Sequence, residues 1–210
     1  MLRRVIVIVI FTVTLLALSH EVAVAASPKP AASKVANNKS VSADEFLQNG
    51  FQQLLEATRN TRSGSPEILS KAARPILDRY IDFSSLTRRA FGLGWKDLSP
   101  QEQKEAQQLL SEVIIRNYAS KIRPESAPKV KFGAPKKLDA SRQEVASSIN
   151  NDGSDVQVTY RLESTGKSWA VYEILVEGVS LTNSYRSQFD ALRTRSGPKA
   201  PLESLRSMLK

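Results

Sequence analysis

Little in this chain can do chemistry beyond carboxylates, tyrosines and basic side chains. It has no cysteine and a single histidine, His20. Without cysteine there are no thiol nucleophiles, disulfides, zinc–thiolate sites or cysteine-borne lipid anchors. One histidine cannot serve both an export segment and a folded site, so His-based triads and the commonest metal ligand are removed. The carboxylates nearest apolar segments are Asp78, Asp82, Glu173 and Glu177. Paired carboxylates can act as acid and base, as in glycoside hydrolysis, but the spacing of these four points to no shared site. Ser180 has no histidine to activate it and reads as a helix N-cap. Arg186 can hold a phosphate bidentately, or pair with Glu177 or Glu173. Arg88, Arg89 and Lys96 flank the glycines of the 92–94 corner, as either a ligand- or partner-facing patch or a solvated helix face. No Gly-x-x-x-x-Gly-Lys-Ser/Thr stretch is present to bind a nucleotide. The expectation is a protein that is not an enzyme and holds no metal or cofactor.

The elements that would position these groups are legible in the apolar pattern. Arg3-Arg4, the apolar run Val5–Leu18 and the small residues Ala23-Val24-Ala25 read as an export signal cleaved after Ala25. An uncleaved anchor is the competing reading, though the run is short against the ~20 residues of a spanning helix. Loss of 1–25 leaves 28 basic and 20 acidic residues, a net charge of +8. Such a basic exported protein is drawn to anionic surfaces, while the export signal and the lack of a binding motif argue against nucleic acid. Residues 26–42, rich in Ala, Ser, Pro, Lys and Asn, read as a flexible leader, and 43–210 as one domain. Helices are expected over Ala43–Asn60, Pro66–Tyr80 (kinked or split at Pro75), from Asp82 to Gly92 or Gly94, and Pro100–Lys121. Strands follow at Lys129–Lys137, Gln143–Asn150 and Asp155–Glu163, with a turn at Asn151-Asp152-Gly153.

The Trp169 strand is apolar on both faces. Ala170, Tyr172, Ile174 and Val176 fall on one side and Trp169, Val171 and Leu175 on the other. Glu177-Gly178 breaks it, and Leu181, Tyr185, Phe189 and Leu192 follow at helical spacing. A last helix starts at Pro201. Helices followed by an antiparallel meander and further helices imply an α+β fold. On residues alone, a filled core and a lined cavity look the same.

The run Trp169–Phe189, of the form W-x-V-Y-D/E, a hydrophobic stretch, E-G-V-S-L-x-x-x-Y-R-x-Q-F, resembles the Mla-pathway phospholipid-binding proteins, the toluene-tolerance family. Phe91-Gly92-Leu93-Gly94-Trp95-Lys96 with Ser99–Gln103 and Tyr118 is a second, weaker match, and the hopanoid-operon relatives share much of the pattern. The resemblance runs from about Asp44 to the C-terminus. It implies a curved antiparallel sheet of four or more strands, nuclear-transport-factor-like, wrapped by helices around an apolar pocket for acyl chains. Leu110, Ile114, Tyr118, Val156, Val158, Tyr160, Val171 and Ile174 are the expected lipid-binding residues. Arg88, Arg89, Lys96 and Arg186 are the expected headgroup or partner contacts. The implied function is that of a monomeric periplasmic phospholipid carrier. It would run between an outer-membrane lipoprotein–porin complex and an inner-membrane ABC transporter, maintaining outer-membrane lipid asymmetry. A carrier of a hopanoid or solvent, or a small enzyme of the same fold, is the alternative.

Overall fold

The computed structural model describes residues 41–59, 61, 65–119, 128–151 and 154–209. The expected export signal, the expected leader up to residue 40 and Asp152-Gly153 of the expected turn lie outside the described residues, as does the Tyr118 side chain.

Among the described residues there are six α-helices and one open, curved antiparallel sheet of six strands. Helix α1 (Ala43–Arg59) begins at a reciprocal cap: the Ser42 amide donates to Glu45 and the Glu45 amide to the Ser42 hydroxyl, satisfying donors that the first turn leaves open. Helix α2 (Pro66–Tyr80) is capped by Ser65 and runs unbroken through Pro75. Of the expected kink or split, the split does not occur; the proline removes one N–H, but packing on both neighbouring helices holds the rest. Asp82 caps α3 (Phe83–Phe91), which passes into a 3₁₀ helix, Gly92–Asp97. The capping box Ser99/Glu102 opens α4 (Pro100–Ala119).

The expected first strand is two: β1 (Lys129–Phe132) and β2 (Lys136–Lys137), parted at Pro135 and both paired to β3 (Arg142–Asn151). Proline has no N–H for the ladder, so the pairing is interrupted there. The sheet continues through β4 (Ser154–Ser164) and β5 (Trp169–Val176) to β6 (Val179–Ser180), which turns back on β5 at Glu177-Gly178. Both turn residues have positive φ, 50° and 76°, the conformation of the tight hairpins that match strand twist. Ser180 then caps α5 (Leu181–Ser196), and α6 (Ala200–Met208) closes the chain.

Two apolar cores form. The larger is all-helical: Leu86, Phe91, Leu110, Ile115, Phe189, Leu202 and Leu205 interlock among α3 to α6. The smaller lies between α1 and the sheet, where Phe46 and Leu47 meet Val145, Leu162 and Val171. The start of α4 is tied across to the residue preceding α6 by an ion pair between Glu102 and Lys199. That ammonium, then the Ser99 amide and hydroxyl, lower the Glu102 carboxyl to about 2.

Candidate functional site: an apolar cavity between α1, α2 and the sheet

One inner face of the sheet carries Phe132, Val145, Tyr160 and Leu162, set together by the registers β1–β3 and β3–β4. In β5 the pairing slips: Tyr160 faces Ile174, Arg161 faces Glu173, and Leu162 faces Val171, so Tyr172 is an extra residue. Such a bulge changes the parity of the strand. Val171 and Ile174, which strict alternation puts on opposite faces, therefore point to the same side. This corrects the face assignment read from the sequence. Tyr172 lies on the other side with Arg142, its ring beneath the Arg89 guanidinium at 4.6 Å and near that of Arg142 at 6.0 Å. Cation–π contacts of this kind hold the bulge residue out of the cavity.

Over this inner face α1 and α2 leave a cavity of about 100 Å³. Its wall is Leu47, Gly50, Phe51 and Leu54 from α1, Ile76, Leu77, Tyr80 and Ile81 from α2 and its end, and Phe132, Tyr160, Val171 and Ile174 from the sheet. The only polar side-chain atoms in that set are the two tyrosine hydroxyls. Aromatic rings run round it. Phe46 meets Tyr80 at a tilt at 4.6 Å, Phe51 meets Phe132 edge-on at 6.3 Å, and Phe132 meets Tyr160 at 6.3 Å. Gly50 makes the α1–α2 contact possible: a Cβ there would lie 2.6 Å from the Tyr80 ring. The Tyr80 hydroxyl leaves the apolar wall and accepts from Gln53 at 2.9 Å; Gln53 in turn accepts from Arg79 at 2.8 Å.

Of the residues expected to meet lipid, Tyr160, Val171 and Ile174 line this cavity. Val156 and Val158 share the inner face by register but do not line it. Leu110 and Ile114 belong to the helical core instead; α4 packs on α2 and α6, so its apolar stripe is used up between helices. The α1 and α2 positions, and Phe132, were missed. Their helical stripe was visible, but nothing in it says that the facing surface is left unfilled.

The basic residues also fall elsewhere. None of Arg88, Arg89, Lys96 or Arg186 lines the cavity. Arg186 donates through Nε and Nη2 to the Arg89 carbonyl at 2.9 and 2.6 Å, tying α5 to the end of α3 rather than pairing with Glu173 or Glu177. Arg88 and Lys96 are exposed. Glu173 is buried and accepts from its neighbour's amide, Ile174 N–H, from Thr182 N–H, and from the Ser180 and Thr182 hydroxyls. Glu177 accepts from Gln157 N–H in the hairpin turn, Asp78 pairs with Arg74, and Asp82 caps α3. The four carboxylates thus have four separate local tasks. Among the described residues no group of histidines and carboxylates could hold a metal ion, and no helix is long and apolar enough to cross a membrane.

The family model described as MlaC protein matches residues 45–207. The toluene tolerance protein Ttg2D of Pseudomonas putida is 21% identical over 145 residues, covering 68% of this chain and 67% of that protein. A solved structure, the phospholipid-binding protein from Ralstonia solanacearum in complex with a phospholipid, superposes with a TM-score of 0.72 at 24% identity. That match covers 79% of this chain and 96% of the other.

Proposed function

The chain belongs to the MlaC protein family, and from that premise we propose that it is a periplasmic phospholipid carrier. It would hold the lipid by its tails in the cavity between α1, α2 and the sheet. The observation that carries this reading is the wall itself: apolar side chains from three elements face one space with no charged group among them. The relative solved with a phospholipid bound supports it.

The physical need is plain. Each exposed methylene costs ~0.8 kcal/mol, so two acyl chains in water cost roughly 25 kcal/mol. A cavity as apolar as the bilayer makes transfer nearly isoenergetic, and direction must come from the donor and acceptor. The proposed partners are an outer-membrane lipoprotein–porin complex and an inner-membrane ABC transporter complex.

The cavity of about 100 Å³ is below the ~300–1,000 Å³ of ligand pockets in general. Loading therefore widens it. Among the described residues no backbone hydrogen bond joins α1 to the sheet; the Trp169 indole N–H donates at 2.9 Å to the Val41 carbonyl, which precedes the helix. The end of α2 is pinned more firmly: Asp82 N–H donates to Val171 O at 2.8 Å. Helix α1 is thus the wall that yields.

The test is mass spectrometry of the protein expressed with its export signal in a Gram-negative periplasm, run natively and after solvent extraction. A stoichiometric diacyl phospholipid is expected. A hopanoid or other apolar molecule would keep a carrier but change its cargo, and a protein that is empty and takes no lipid from vesicles would overturn the reading.

A further inference from the structure

Through Tyr80 the cavity wall is joined to a polar cluster on α1 and α2. Tyr80 contributes its ring to the wall and its hydroxyl to Gln53, while Gln53 bridges to Arg79. The bonding order fixes the amide: a guanidinium can only donate, so the Gln53 oxygen faces Arg79 and its nitrogen faces Tyr80. The remaining guanidinium N–H groups, the second amide N–H and the Tyr80 O–H are all donors. Arg79 is exposed and has no carboxylate within ion-pair distance among the described residues, unlike Arg74, Arg116, Arg142, Arg161 and Arg206. A cluster of donors with one uncompensated positive charge, bonded to a side chain of an apolar wall, fits an amphiphile with an anionic group next to its tails.

We propose that Arg79, Gln53 and Tyr80 form a phosphate-binding site at the α1–α2 seam that receives the phosphodiester of the lipid whose chains occupy the cavity. This rests on the carrier reading. Arg79 supplies charge and a planar fork; Tyr80 donates its hydroxyl proton; Gln53 holds both in place.

The experiment loads lipid-free protein from vesicles containing equal amounts of phosphatidylglycerol and diacylglycerol with identical chains. Bound lipid is extracted and the ratio of the two is read by mass spectrometry. The unmodified protein is expected to favour phosphatidylglycerol. Arg79→Gln should lower that ratio about tenfold, the scale of a lost charge-assisted hydrogen bond, with diacylglycerol uptake unchanged. Tyr80→Phe keeps the ring in the wall and should lower the ratio less. If both lipids load and neither variant moves the ratio, the site is a structural tie between α1 and α2 and the proposal falls while the carrier stands. If the unmodified protein loads neither lipid, the carrier reading falls with it. If inorganic phosphate alone binds the lipid-free protein in an Arg79-dependent way and displaces phosphatidylglycerol, the site serves the free anion and the headgroup assignment is overturned.

Discussion

At the scale of single residues, Gly50 decides how closely the two cavity helices approach. A glycine inside a helix costs about 1 kcal/mol against alanine, so alanine would ordinarily help. Here its Cβ would meet the Cδ1–Cε1 edge of the Tyr80 ring at 2.6 Å, not a flexible side-chain end that can swing away. Overpacking of this kind costs about 1–3 kcal/mol. Gly50→Ala is therefore expected to lose roughly 1 kcal/mol net in urea unfolding; a gain in stability would show that Tyr80 moves freely. Glu173 was legible only in part. Its place in an apolar strand marked it as unusual, and the sequence offered Arg186 as its partner. The structure uses hydroxyls and amides instead, because Ser180 and Thr182 follow immediately after the hairpin and reach the carboxylate first.

Among elements, helix starts were the most readable features. Ser42, Ser65, Asp82, Ser99 and Ser180 each precede a helix, and each accepts from the first turn, because short polar side chains satisfy open amides locally. Packing partners were less readable. The stripe of α4 looks the same whether it faces a cavity or another helix, so Leu110 and Ile114 were placed by resemblance and lie in the helical core. The tie between α4 and α6 has a pH signature. The Glu102 carboxyl, lowered from 4.5 to about 2 by Lys199 first and then Ser99, stabilises the fold above pH 4.5, and this contribution fades as pH falls from 4.5 toward 2. Glu105, held low by Arg206, and Asp139, held low by the Ser141 amide, act in the same direction. Lys199→Met is expected to reduce the drop in urea midpoint between pH 6 and pH 2.5; an unchanged drop would mean that the ion pair does not form in solution.

For the molecule as a whole, the separation of two cores matters most. The helical core contains none of the cavity residues except at its margin, where Leu54, Leu77 and Ile81 touch it. Lipid loading should then slow amide exchange in α1 and around Phe132 while leaving α3 and α6 unchanged, as measured by hydrogen exchange on loaded and lipid-free protein. Equal changes in both cores would contradict the division. The α+β class was legible at this scale from the order of periodicities, since helical spacing precedes and follows alternating spacing. The cavity was not, because an unfilled space leaves no mark on the residues around it. The slip at Tyr172 has a consequence of a different kind. In β5 the sides are set by counting: one surplus residue puts both Val171 and Ile174 inward and sends an aromatic ring out between two arginines. Loss of that one residue would remove the bulge and leave Val171 and Ile174 inward by plain alternation, but it would take away the ring that Arg89 and Arg142 hold on the outer side. The surplus residue thus serves the outer surface of the sheet, and the inner face that lines the cavity is kept by the residues on either side of it.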